Sequence, residues 1–173
     1  MSFNLYYLFI IILFGLILLY SYYELLSKVN SMEIFWGEIK GKLRTFYMIS
    51  LGVIICAFIL LLIYLMTSNS LTENQGFKIF IALFGITIFS LFWLPLSLLY
   101  VNYDKNKLFI KYLIILTLFL VSFSAFYFLV IFNEIKDKSL FKKIVYVGMI
   151  YLFCHVFFLD FIFWDYFFFK QTK

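Results

Sequence analysis

The chain has one histidine, His155, and places it in the run CHVFFLDFIFWD together with Asp160 and Asp165, among phenylalanine, leucine, isoleucine and tryptophan. These residue types can do chemistry. An imidazole titrates near neutrality and burial can raise a carboxyl group toward the same range, so the set could relay protons. A charge inside a membrane costs about 2.5–3.5 kcal/mol on insertion scales, so such groups face protein or water rather than lipid. On a regular helix of 3.6 residues per turn, His155 and Asp160 stand about 140° apart, and one straight helix cannot pair them. Tyr151, Cys154, His155, Asp165 and Tyr166 share one side, with Asp160 nearly opposite. Asp160 then needs a partner from another helix, and the hydroxyls of Ser90, Ser122 and Ser124 or a terminal lysine are the candidates. The alternative to chemistry is that these groups lie at the interface or tie the last helix to its neighbours through interhelical hydrogen bonds.

Residues 155–160 read His-x-x-x-x-Asp, a spacing that resembles the His/Asp motif of glycerolipid acyltransferases. That resemblance implies His155 as a base oriented by Asp160. It covers six residues, Cys154 stands where that family carries asparagine, and no acyl-acceptor motif follows. The stretch YVGMIYLF at 146–153 resembles the Tyr-Val-Gly-Ala segment of the sixth core membrane subunit of respiratory complex I, another small protein of about five spans. In that family the segment lies in the third span, and here it lies in the fifth. A single histidine excludes bis-histidine haem ligation within the chain. Carboxylates and one imidazole make a poor metal set, so no metal and no cofactor is expected. No His-Glu-x-x-His, Walker loop or Gly-x-Ser-x-Gly is present. Cys56 and Cys154 both fall in apolar runs without a paired cysteine nearby, and buried free thiols are the expectation.

The elements that must position these residues follow from composition. Of 173 residues, 66% are hydrophobic and 13% charged, against about 45–50% and 25% in soluble domains. A fold of this length leaves about a third of its surface exposed, too much to hide so many apolar side chains from water. The surrounding solvent is therefore lipid. Crossing hydrocarbon takes about 20 apolar residues, and five runs qualify: 3–23, 45–66, 79–101, 112–132 and 144–169. The first four carry no charge. A closed barrel would need alternating strands of about ten residues, which these unbroken runs are not. The expectation is one all-α transmembrane bundle of five spans, 1–173, with the first run a retained span rather than a cleaved signal. Tight joints predict that successive helices neighbour one another in antiparallel order.

Pro95 sits inside the third span, where its missing N–H frees the carbonyl of Leu91 and predicts a kink. The first connector differs from the others. Met32, Phe35, Trp36, Ile39 and Leu43 recur at three- and four-residue steps beside Lys28, Lys40, Lys42 and Arg44. A helix in the head-group layer anchored by Trp36, Lys40, Lys42 and Arg44 would have this pattern, although Gly37 and Gly41 weaken it and a plain basic loop fits as well. Lysine and arginine number nine on the segments after spans 1, 3 and 5 and five on the others, which favours an outer N-terminus and an inner C-terminus.

The net charge of +5 comes from lysines scattered among connectors, so lipid head groups are the expected partners and nucleic acid is not. The short connectors leave no room for a catalytic domain. The expected function is a structural or assembly subunit of a larger membrane complex, in contact with lipid and with other spans or copies of itself. The alternative is a proton or cation conductor built on His155, Asp160 and Pro95. A third reading, a membrane enzyme acting on lipid, would require a pocket joining His155 to the interface.

Overall fold

Each apolar run becomes a helix because a backbone in hydrocarbon must satisfy its own hydrogen bonds. A computed structural model describes residues 3–28, 33–102 and 105–171. The helices are α1 (Leu5–Ser27), α2 (Glu33–Trp36), α3 (Gly41–Thr67), α4 (Glu73–Asn102), α5 (Lys107–Asn133), α6 (Leu140–Cys154) and α7 (Asp165–Gln171). Between α6 and α7 the chain continues without a break as a π-helix, His155–Trp164. Among the described residues there is no strand. Five helices are long and apolar enough to cross a membrane: α1, α3, α4, α5 and the continuous rod Leu140–Lys170. Their ends carry local stops. The Asn4 side chain accepts from the Tyr6 amide at 2.9 Å, and Ser139 accepts from the Lys142 amide at 3.1 Å. Asn106, ahead of α5, takes the left-handed conformation that asparagine tolerates.

The helices do not pack in sequence order. α4 lies between α1 and α5, α5 packs on the last rod, and that rod packs on α3. The expectation that successive spans neighbour one another thus fails at α3, whose main partner is α6. Small residues decide this. Gly148 of α6 approaches Ala57 of α3 so closely that a Cβ on Gly148 would lie 2.8 Å from the Ala57 Cβ, the close approach that small residues permit between membrane helices.

Two apolar clusters fill the interior. One gathers Ile11, Leu61, Leu83, Phe128, Phe132 and Met149 toward the end of the bundle where α1 begins. The other gathers Ile39, Tyr47, Ile114, Trp164 and Phe168 toward the end where the chain terminates. His155 falls between them along the last rod. Four buried hydroxyls are satisfied within their own helices: Thr87, Ser97, Thr117 and Ser122 each donate to the carbonyl four residues back.

The first connector folds against the end of the last rod. α2 is a single turn, ended by Gly37 at φ +55°, so the run from Phe35 to Leu43 is not one helical face. Met32 lies outside the described residues. Phe35 and Ile39 are buried, the Phe35 carbonyl accepts from Trp164 Nε1 at 2.7 Å, and Lys170 pairs with Glu38 at 2.8 Å. A Cβ on Gly37 would meet the Phe167 carbonyl at 2.7 Å. Arg44 lies over the Trp36 ring at 5.1 Å and pairs with Glu33 at 2.9 Å. Lys40 and Lys42 are exposed.

Candidate functional site

His155 begins the π-helix, and this sets the geometry of the site. In a π-helix the hydrogen bond runs from i to i+5, so residues five apart stack on one face. His155 and Asp160 have that spacing. The expectation that one rod holds them on opposite sides is corrected here: it assumed a 3.6-residue turn, and this stretch does not have one. His155 Nε2 lies 3.4 Å from Asp160 Oδ1, within ion-pair distance but not aligned as a hydrogen bond. Asp165 follows five residues after Asp160, and the two carboxyl groups lie close enough to act on one another electrostatically.

α3 supplies the other half of the site. Ser50 Oγ lies 2.6 Å from His155 Nδ1, and Tyr151 donates its hydroxyl hydrogen to Ser50 Oγ at 2.7 Å. Ser50 Oγ sits between the Tyr151 hydroxyl and the imidazole. The other ring nitrogen, Nε2, faces Asp160. Tyr151, Ser50, His155 and Asp160 thus form a connected polar row between α3 and the last rod. The Tyr47 hydroxyl donates to the Leu159 carbonyl inside the π-helix, and the Tyr47 ring stands edge-on to His155 at 5.5 Å. A side chain that enters a helix ladder is one recognised cause of a local change of winding.

His155 is 3% exposed, whereas the Asp160 side chain is 25% exposed. A cleft of about 200 Å³ reaches the site, with Ser50, Tyr151, Cys154 and His155 along it and the outward-facing Phe46 and Phe158 at its rim. Among the described residues, no three of His, Cys, Asp and Glu converge as a metal-binding group.

The structure thus brings together three of the residues singled out from sequence, Tyr151, His155 and Asp160. Asp165 is buried one level further along the rod, beside a second cleft. The serines proposed as partners of Asp160 are engaged elsewhere: Ser90 donates to Ile86, Ser122 donates to Leu118, and Ser124 packs on Gly85. Near Pro95, Tyr22 donates to the Ser90 carbonyl at 2.8 Å, one residue before the carbonyl that proline frees. Cys56 is exposed on the bundle surface and Cys154 half-buried, so the expected pair of buried thiols is not found.

Sequence reasoning missed Ser50 and Tyr47. A signal existed, because their i, i+3 spacing puts both hydroxyls on one face of a charge-free span. Tyr151 and His155 face them with i, i+4 spacing. The chain matches no family model, no curated protein and no solved structure.

Proposed function

We propose that the chain is a non-enzymatic, multi-pass membrane protein that serves as a structural or assembly subunit of a larger membrane complex. One observation carries this reading: the buried His155 spends its Nδ1 on Ser50 of a neighbouring helix, so the rarest polar group in the spans acts as a clasp between helices. Hydrogen bonds of this kind between membrane helices contribute about 0.6–2 kcal/mol each. α1 supports the reading from the outside. It packs chiefly on α4 and leaves most of its large side chains outward, for lipid, for other subunits or for a second copy. In this arrangement α2, Trp36, Lys40, Lys42 and Arg44 anchor the first connector in the head-group layer, and Pro95 kinks α4 where Tyr22 docks. The N-terminus lies outside and the C-terminus inside.

The test is purification in mild detergent followed by native electrophoresis and chemical cross-linking. The reading expects a species larger than one chain, lost when outward residues of α1 such as Leu16 and Tyr20 become alanine. A monodisperse single chain with no cross-linked neighbour in its own membrane would overturn it.

A second reading has a specific observation behind it. The π-helical register brings His155 and Asp160 to one face, and Asp165 lies buried further along the rod toward the chain terminus. Such a set could carry protons part of the way across. Liposome flux measurements with the native chain and with Asp160→Asn decide it: conduction requires a flux that the substitution abolishes, and flux absent from both removes this reading.

A further inference from the structure

We infer that the cleft between the start of α5 and α7 is a binding site for an aminophospholipid, a lipid whose head group joins a primary ammonium to a phosphodiester. The cleft has a volume of about 450 Å³ and is lined by Lys111, Ile115, Asp165, Tyr166, Phe169 and Lys170. That size lies within the usual range of small-molecule sites.

Three features select the ligand. Asp165 lines the cleft, is about nine-tenths buried, and has a carboxyl oxygen, Oδ1, without any hydrogen-bond partner. A buried carboxyl oxygen left unpaired is costly, and a donor arriving with a ligand removes that cost. Next, Lys111 lines the same cleft as Asp165, yet its ammonium rests 4.8 Å over the Phe169 ring instead of bonding to the carboxylate. Lys111 can therefore meet an anion from the cleft side while Asp165 meets a cation. Finally, the charges balance. Lys170 is held by Glu38 at 2.8 Å, so the cleft and its rim present Lys111 and Lys170 against Asp165 and Glu38. A neutral set offering both signs fits a head group that carries both signs. An anionic head group would satisfy the lysines and leave Asp165 unpaired. A quaternary choline has no N–H to give it.

The walls decide between a lipid and a free soluble phosphate ester. Ile115 and the outward-facing Tyr166 give the cleft apolar walls on its lipid-facing side, where an acyl chain can lie. Lys111 is one turn inside α5 and Lys170 is close to the end of α7, the level at which head groups meet a membrane helix.

The experiment uses the full chain, delipidated in mild detergent, with native mass spectrometry of retained phosphatidylethanolamine, its mono-, di- and trimethylated forms, and phosphatidylglycerol. Retention should fall stepwise with each added methyl, and the trimethylated form should bind about tenfold more weakly, the equivalent of one charge-assisted hydrogen bond. This series needs no substitution and so does not depend on a variant folding. Asp165→Asn should flatten the series, whereas Lys111→Gln should weaken ethanolamine and glycerol head groups alike. Soluble phosphoethanolamine at millimolar concentration should fail to displace the lipid. Equal retention across the methyl series, a preference for phosphatidylglycerol, an Asp165→Asn variant that keeps the series, or displacement by soluble phosphoethanolamine would each overturn the assignment.

Discussion

Ser50 and His155 place the interior clasp on a single hydrogen bond, and its removal has a calculable cost. In Ser50→Ala, the buried Nδ1 loses its partner and Tyr151 loses its acceptor. Leaving a buried polar group unsatisfied costs about 1–3 kcal/mol, so the variant should unfold at lower temperature in a thermal assay in detergent. Removing both sides should cost less than the sum, and a Ser50→Ala, His155→Phe double-mutant cycle measures that difference. Additive losses would show that the two residues do not depend on one another. Asp137 offers a pH-dependent contact outside the spans. The Ser139 amide at 2.8 Å and the Tyr64 hydroxyl at 2.9 Å hold its carboxyl below the usual range. A carboxyl lowered in the folded state contributes stability above its unfolded value, near 3.8, and loses it as pH falls through the folded value. Hydrogen exchange in the first turn of α6 should therefore quicken only in that acidic window, and Asp137→Asn should remove the pH dependence. The group is only partly shielded from solvent, so the effect is screened and local. The individual ionisable residues were legible from sequence because rare charges stand out against 66% hydrophobic composition. Their partners were not, since a lone serine in an apolar span resembles the many that bond to their own helix.

At the scale of elements, the reading from sequence held wherever it needed only length and apolarity. The five expected runs lie within helices that extend past them by up to six residues at an end, except that the first helix begins at Leu5, and the extensions mix charged residues such as Lys42, Lys78 and Lys143 with apolar ones. It failed where it needed an angle. Placing Asp160 opposite His155 follows from 100° per residue, and composition does not announce a ten-residue change of winding. The first connector failed for a related reason: its spacing is helical, but Gly37 turns the chain after Trp36 so that Ile39 can pack under the last rod. Gly37 and Gly41 now separate two costs, one of positive φ and one of steric contact. Both need φ near +55°, so alanine at either brings a backbone cost of about 1–2 kcal/mol. At Gly41 a Cβ meets nothing within 4 Å, whereas at Gly37 it meets the Phe167 carbonyl at 2.7 Å and the Phe168 Cα at 2.9 Å. Gly37→Ala should thus destabilise clearly more than Gly41→Ala, and it should shift the fluorescence of the Trp164 indole bonded beside it. Equal effects would mean that the connector is not seated on α7.

On the scale of the molecule, an odd number of spans and a docked connector make the same demand on topology. α2, the α4–α5 joint and the end of α7 must share one face, because Phe35 bonds Trp164, Glu38 pairs with Lys170, and Lys111 covers Phe169. The α3–α4 and α5–α6 joints must share the other, because Gln75 donates to the Glu134 carbonyl and Tyr64 to Asp137. Charge counting distinguished these faces by nine lysine and arginine residues against five, a contrast weakened by Lys142 and Lys143. Lys142 has another assignment. It is buried, its ammonium donates to the Ile135 carbonyl at 2.6 Å, and it lies over the Phe132 ring at 5.8 Å. There it closes the C-terminal end of α5, where exposed carbonyls favour a cation. It thus has a structural role besides its charge. In a background where Cys56 and Cys154 are replaced by alanine, single cysteines at Lys40 and Lys105 should react with a membrane-impermeant maleimide from the same side. Cysteines at Ser70 and Lys136 should react only from the opposite side. Lys142→Gln should leave that pattern unchanged while lowering thermal stability, since it removes a buried contact and only one charge from the poorer face. Inversion of the labelling pattern in Lys142→Gln would instead make that lysine a determinant of orientation, and labelling of Lys40 and Ser70 positions from one side would break the five-span fold itself.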